Sequence, residues 1–174
     1  MSVAQEAEFS ITSRVGNVEL RQYRPTVLAT VRGYSDNDAF SLLLDYISGR
    51  NRTSKRIAMT APVITSEKIP MTVPVVSGRG SFSFVLPSEM TLENAPVPAD
   101  DRVVLEAFPE RLVAAIRFRG RARGKDVESM TEELRVTLER SNRRPKGEPF
   151  LMRYNPPFTP GFLRRNEVGI EIER

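Results

Sequence analysis

The sequence predicts an α+β fold in a single domain of 174 residues, made of two related halves that each read β-β-α-β-β. Two observations carry this. An apolar pattern recurs at a spacing of 85 positions: Val18, Leu20 and Tyr23 are matched by Val103, Leu105 and Phe108, and Val27, Leu28, Ala29 and Val31 by Leu112, Val113, Ala114 and Ile116. A helix signal follows each matched pair of strand-like runs, and further strand-like runs follow each helix, which sets the halves at about 18–86 and 103–173. Two copies make a duplicated domain rather than a solenoid.

In each half the first two runs flank a short polar corner, Arg24-Pro25 or Pro109-Glu110, so each pair is expected to fold back as a tight hairpin. The first helix opens in Ser35-Asp36-Asn37-Asp38, a cluster of good caps, and places Phe40, Leu43, Leu44 and Ile47 at i, i+3, i+4 and i+7 before Gly49 ends it. Ala39, Leu42 and Tyr46 widen that stripe until only Ser41, Asp45 and Ser48 remain polar, an apolar sector of more than roughly 200°. One sheet covers less than this. The surplus must meet a loop, a partner subunit or a ligand.

After the helix, Ala58-Met59-Thr60-Ala61-Pro62-Val63 is echoed by Pro70-Met71-Thr72-Val73-Pro74-Val75 across Thr65-Ser66-Glu67-Lys68, which reads as a hairpin. Prolines 62, 70 and 74 lack a backbone donor and belong at edges or bulges. Gly78-Arg79-Gly80 reads as a turn, Phe82–Leu86 as a strand ended by Pro87, and residues 94–101 as the linker between halves. The second helix begins near Asp126, with Val127, Met130, Leu134 and Leu138 as a thin stripe, and stops before Pro145. Packing on a sheet satisfies it. The segment from Tyr154 to Phe162 is a proline-rich loop with two apolar rings, Phe158 and Phe162, stiffened by its prolines as a rigid lid or wall would be, and Val168–Ile172 is the last strand.

Composition removes much chemistry. With no histidine and no cysteine, zinc sites of the usual kind, Ser-His-Asp triads, thiol chemistry and proximal-histidine haem are excluded. Carboxylate, lysine or tyrosine catalysis remains, but the adjacent pairs Asp100-Asp101 and Glu132-Glu133 diverge on either helix or strand and make no acid/base dyad, so a non-enzyme is expected. Residues 1–17 carry Glu6 and Glu8 and no sustained apolar run, and no segment spans a membrane, so the expectation is a cytoplasmic protein without a membrane partner.

Net charge is +4, and 22 of the 26 basic residues are arginine. The excess is too small to imply nucleic acid, and no nucleic-acid partner is expected. Arg117, Arg119, Arg121 and Arg123 alternate as on one face of a continuing strand, which reads as a solvated outer face.

Five strings in register carry a resemblance: Val18–Tyr23, Ala39-Phe40 leading to Tyr46–Asn51, Ile57–Val63, Phe84–Ser88, and Tyr154–Pro157 through Arg164–Val168. Together they resemble the SOUL haem-binding protein family over nearly the whole chain. The resemblance implies a twisted, barrel-like antiparallel sheet with two helices and internal pseudo-twofold symmetry, related to the effector-binding domains of some transcriptional regulators. It implies non-catalytic binding of haem, another tetrapyrrole or a similar flat hydrophobic ligand in an apolar cleft beside the first helix and the C-terminal loop.

Position by position, it makes Phe40, Leu43, Tyr46, Ile47, Met59, Phe158 and Phe162 the ligand-binding residues. Lys55, Arg56, Arg164 and Arg165 become the cations for the propionates; for Arg164 and Arg165 an ion pair with Glu167 or another carboxylate is the competing reading. Some family members ligate iron through histidine, which this sequence lacks, so binding without histidine ligation is expected. The alternative is an effector-sensing or protein-interaction module for other hydrophobic organic molecules.

Overall fold

The computed structural model describes residues 5–66, 80–155 and 158–174. In chain order the elements are β1 (Gln5–Glu6), β2 (Phe9–Val15), β3 (Val18–Tyr23), β4 (Thr26–Arg32), α1 (Asp36–Ile47), β5 (Thr60–Ser66) and β6 (Ser81–Val85). There follow β7 (Val104–Phe108), β8 (Arg111–Arg119), α2 (Gly124–Arg140), β9 (Phe150–Arg153), a 3-10 turn at Gly161–Leu163 and β10 (Arg165–Glu171). The order β-β-α-β-β therefore occurs twice, from β3 to β6 and from β7 to β10. No helix among the described residues is long and apolar enough to cross a membrane.

The described residues fall into two compact units, one built on Pro25–Pro109 with β1, the other on Glu8–Arg24 and Glu110–Arg174. In the first, the strands run β5-β6-β4-β7, all antiparallel, with β1 parallel to β5. In the second they run β2-β3-β8-β10-β9, all antiparallel. Taken by itself, each unit is an α+β layer of one antiparallel sheet and one helix. The strand order β5-β6-β4-β7 of one unit has the same pattern as β9-β10-β8-β3 of the other.

This pairing corrects the expected hairpins. β3 pairs with β2 and β8, not with β4, and β4 pairs with β6 and β7. Two-residue hairpin turns need glycine, asparagine or aspartate at left-handed positions, and neither Arg24-Pro25 nor Pro109-Glu110 supplies one. The corner passes the chain into the other unit instead. β2 is additional to the strands expected; its burial pattern is mostly exposed, so no apolar alternation announces it.

Within the first unit α1 packs on β4 and β6. Ser35 caps it, its Oγ accepting from the Asp38 N–H at 3.2 Å, and Gly49 takes φ +115° just beyond its end, where a side chain would be strained. The surplus apolar face is covered by the chain itself. Ala95 and Val103 join Ala39, Leu43, Tyr46 and Ile47 in one core with Ile57, Phe82, Phe84 and Leu86, and the Tyr46 hydroxyl donates to the Pro96 carbonyl at 2.7 Å. Of the three candidates for that face, the loop is the one found.

Pro62 lies where β5 shifts register against β6, between Thr60 and Val63, as its missing donor requires. The echo at residues 70–75, with Pro70, Pro74 and most of the turn at 78–80, lies outside the described residues.

In the second unit α2 begins at Gly124, two residues before its expected start, and packs on β8 and β10. Leu134 and Leu138 are its buried residues, with Val127 and Met130 half-buried beside Val18, Leu20, Ile116 and Ile170. β8 ends at Arg119, and Gly120 turns the chain with φ +119°. The arginine stripe therefore breaks: Arg117 and Arg119 stay on the strand, while Arg121 and Arg123 leave it.

Candidate ligand-binding site

Residues of the first unit divide sharply. Leu43, Tyr46 and Ile47 are 0, 1 and 6% exposed, so their side chains pack in the core of their own unit, Tyr46 also bordering a cavity beside α1. Phe40 is half-buried, edge-on to Phe82 and Phe84 at centroid distances of 6.4 and 5.5 Å. Met59 is 41% exposed. Lys55 and Arg56 are exposed and make no ion pair among the described residues; their segment is held by Asn51, whose Nδ2 donates to the carbonyls of Tyr46 and Lys55 at 3.1 and 2.7 Å.

A cavity of about 450 Å³ does open beside α1, with Leu42, Tyr46, Pro98 and Val103 as its apolar part. Its rim is acidic. Asp45, Asp100 and Asp101 line it with one arginine, Arg50, which pairs with Asp45 at 3.2 Å. Hydrogen bonds from Arg102 hold the Asp100 carboxyl down at about 2. Burial raises the Tyr46 hydroxyl to about 12, so it stays a neutral donor. With Asp45 on Arg50 and Asp100 on Arg102, the rim keeps a small net negative charge, which suits a cation better than a carboxylate.

In the second unit the C-terminal loop presents its rings outward. Phe158, Phe162 and Leu163 are 87, 75 and 51% exposed. The loop itself is tied down: the Arg165 N–H donates to Asn155 Oδ1 at 2.6 Å, Arg164 Nε to the Thr159 carbonyl at 2.9 Å, and Asn166 Nδ2 to the Gly120 carbonyl at 2.7 Å. Arg165 also donates to Glu167 Oε1 at 3.1 Å and stacks on Tyr154 at 4.0 Å from the ring centroid. Between the ion-pair and cation-site readings of Arg165, the ion pair is therefore present. A second cavity, of about 400 Å³, is lined by Gly120, Arg121, Arg123, Asp126, Gly161 and Phe162.

Glu167 also belongs to a buried polar cluster of which the sequence reading reached only the pairing with Arg165. Arg21, 1% exposed, makes a two-pronged contact with Glu167, 0% exposed: its NH1 and NH2 donate to the two carboxylate oxygens at 2.5 and 2.9 Å. Tyr154 donates to the same carboxylate at 2.8 Å, Arg117 approaches it at 3.5 Å, and Arg21 also reaches the Tyr23 hydroxyl at 3.1 Å. Burial opposes ionisation of Glu167, but the hydrogen bonds and charge of Arg21, with Tyr154 and Arg165, outweigh it and bring its carboxyl to about 2. Burial raises the Tyr154 hydroxyl well above its ordinary value. The available signal was Glu19, Arg21 and Tyr23 at alternate positions, a polar face on a strand whose other face, Val18 and Leu20, is apolar. Nothing local points from Arg21 to a partner 146 positions away.

Among the described residues no group of three or more acidic residues could hold a metal ion, and the sequence has no histidine or cysteine. A family model described as SOUL heme-binding protein matches residues 4–171. Heme-binding protein 1 of Sus scrofa is 29% identical over 133 residues, covering 76% of this chain and 69% of that protein. Among solved structures, the C-terminal domain of EcmrR is similar with a TM-score of 0.64 at 10% identity, over 90% of this chain and 97% of that one. A hydrolase from Listeria innocua is similar with a TM-score of 0.61 at 10% identity, over 93% and 94%. At such identities these two likenesses concern the fold alone.

Proposed function

Because the chain belongs to the SOUL haem-binding protein family, we propose that it binds a tetrapyrrole or similar flat apolar dianion without turnover, on the exposed face of the C-terminal loop and without histidine ligation. One observation carries the proposal: Phe158 and Phe162 are 87 and 75% exposed on a loop whose backbone is anchored on both sides. An unfolded lid would lose its rings to solvent at little cost, whereas an anchored one holds them ready. Such rings suit the face of a porphyrin, and each gains roughly 1.5–3 kcal/mol when fully covered, before the costs of association are deducted.

The donor set fits a tetrapyrrole held by faces and carboxylates better than one held through its metal. Guanidinium groups and a ring line the cavity at the loop, while methionine, tyrosine and lysine are absent from its lining. Met59, in the first unit, is an accessible thioether that would be able to hold a tetrapyrrole's metal there.

A fluorescence titration of protoporphyrin IX with the full chain tests the reading. Saturable binding is expected, weakened about tenfold or more in Phe158→Ala/Phe162→Ala with no change in thermal unfolding. No saturable signal from the wild type, or an unweakened double variant, would refute it.

A second reading has its own support. The acidic rim of the cavity beside α1 favours an apolar cation, in line with an effector-sensing module. Displacement of such a cation by high salt but not by protoporphyrin would mark it as a separate activity.

A further inference from the structure

We propose that Arg121 and Arg123 receive the carboxylate-bearing edge of the ligand, in the cavity beside Phe162, a task the family resemblance had given to Lys55, Arg56, Arg164 and Arg165. The inference rests on the binding reading above and assigns a subsite within it. The sequence pattern placed all four arginines from Arg117 to Arg123 on one solvated strand face. Gly120, at φ +119°, ends that strand and delivers Arg121 and Arg123 into the cavity lining together with Gly161 and Phe162.

Lys55 and Arg56 do not line this cavity, and three features distinguish the pair from Arg164 and Arg165. Arg165 already donates to Glu167 and stacks on Tyr154, and Arg164 donates to the Thr159 carbonyl. Arg121 and Arg123, by contrast, have no ion-pair partner among the described residues. The one carboxylate in the lining, Asp126, accepts from the Arg123 backbone N–H at 3.2 Å, which holds it toward the main chain.

Gly161 supplies the third feature. A Cβ built there would lie 2.7 Å from Nε and 2.8 Å from Cγ of Arg121, so the absence of a side chain is what lets Arg121 lie against the loop that carries Phe162. The result is a guanidinium fork next to an exposed ring. That combination matches a flat apolar body with a carboxylate at its edge, since the fork fits a carboxylate in two-pronged fashion.

The test compares protoporphyrin IX with its dimethyl ester, which keeps the ring and removes both charges. Wild type is expected to bind the diacid about tenfold or more tightly than the ester, with the preference shrinking as salt is raised. Arg121→Gln/Arg123→Gln is expected to erase the preference while leaving ester binding and thermal unfolding unchanged, and Gly161→Ala to reduce it. A double variant that keeps the wild-type preference, or a wild type with no preference, overturns the subsite and leaves the binding reading intact. Failure of the wild type to bind either compound overturns both.

Discussion

Glu167 shows how one side chain can be fixed by chemistry the sequence does not display. Its carboxylate is surrounded by Arg21, Arg117, Arg165 and Tyr154, at 0% exposure. Removing one partner of a buried pair strands the other, so Glu167→Ala is expected to cost about 3–5 kcal/mol of unfolding free energy in denaturant titration. Arg21→Met combined with Glu167→Leu should recover part of that, because the two fully buried charges leave together, while Tyr154 and Arg165 still lose their acceptor. A single variant within about 1 kcal/mol of wild type would show that the cluster does not hold the unit together.

The acid response of this residue has a definite direction. Its carboxyl is depressed from 4.5 to about 2, so the stabilisation it brings is complete above the unfolded value and disappears as pH falls through the folded one. Unfolding free energy should drop between roughly pH 4.5 and pH 2 in wild type and less in the Arg21→Met/Glu167→Leu protein. Only the Arg165–Glu167 contact, two residues apart on β10, was within reach of sequence reasoning. The Arg21–Glu167 contact depends on β3, β8 and β10 lying side by side, which local pattern does not reveal.

The helices were legible because their signals are local. Ser35 and Gly49 bracket α1 as caps do, and the thin stripe of α2 is what a single sheet needs. The strands were legible as strands, but their partners were not, because period-two alternation says which face is apolar and nothing about which strand lies alongside. That is why the hairpins were expected and crossed pairings found. The wide apolar sector of α1 was read correctly as surplus, and its cover turned out to be residues 95–103 of its own chain.

Two substitutions in α1 separate its packed side from its open one. Leu43→Ala, at 0% exposure, is expected to cost about 2–5 kcal/mol, and Leu44→Ala, at 40%, to fall within about 0.5 kcal/mol of wild type. Equal losses would mean that Leu44 is covered in solution. Changes in the loop should behave in the opposite way, leaving stability intact and altering the response to ligand.

Seen as a whole, the molecule separates scaffold from surface. Its family was legible because five strings stand in register along nearly all of the chain, and the family fixes the expected fold. The candidate site was only partly legible. Phe158 and Phe162 stand exposed on the proline-rich loop, whereas Leu43, Tyr46 and Ile47 are buried, because a sequence shows how much apolar surface a helix carries but not what covers it. Ligand binding should raise the melting temperature in proportion to the logarithm of ligand concentration above its dissociation constant.

The most direct measurement is a pair of absorbance titrations of the full chain, one with hemin and one with metal-free protoporphyrin IX. Held by faces and carboxylates, the two should bind with dissociation constants within about threefold of each other, and hemin should show no low-spin spectrum. A hemin affinity about a hundredfold above that of the metal-free ring, lost in Met59→Ala, would contradict the account by placing the binding energy on the iron.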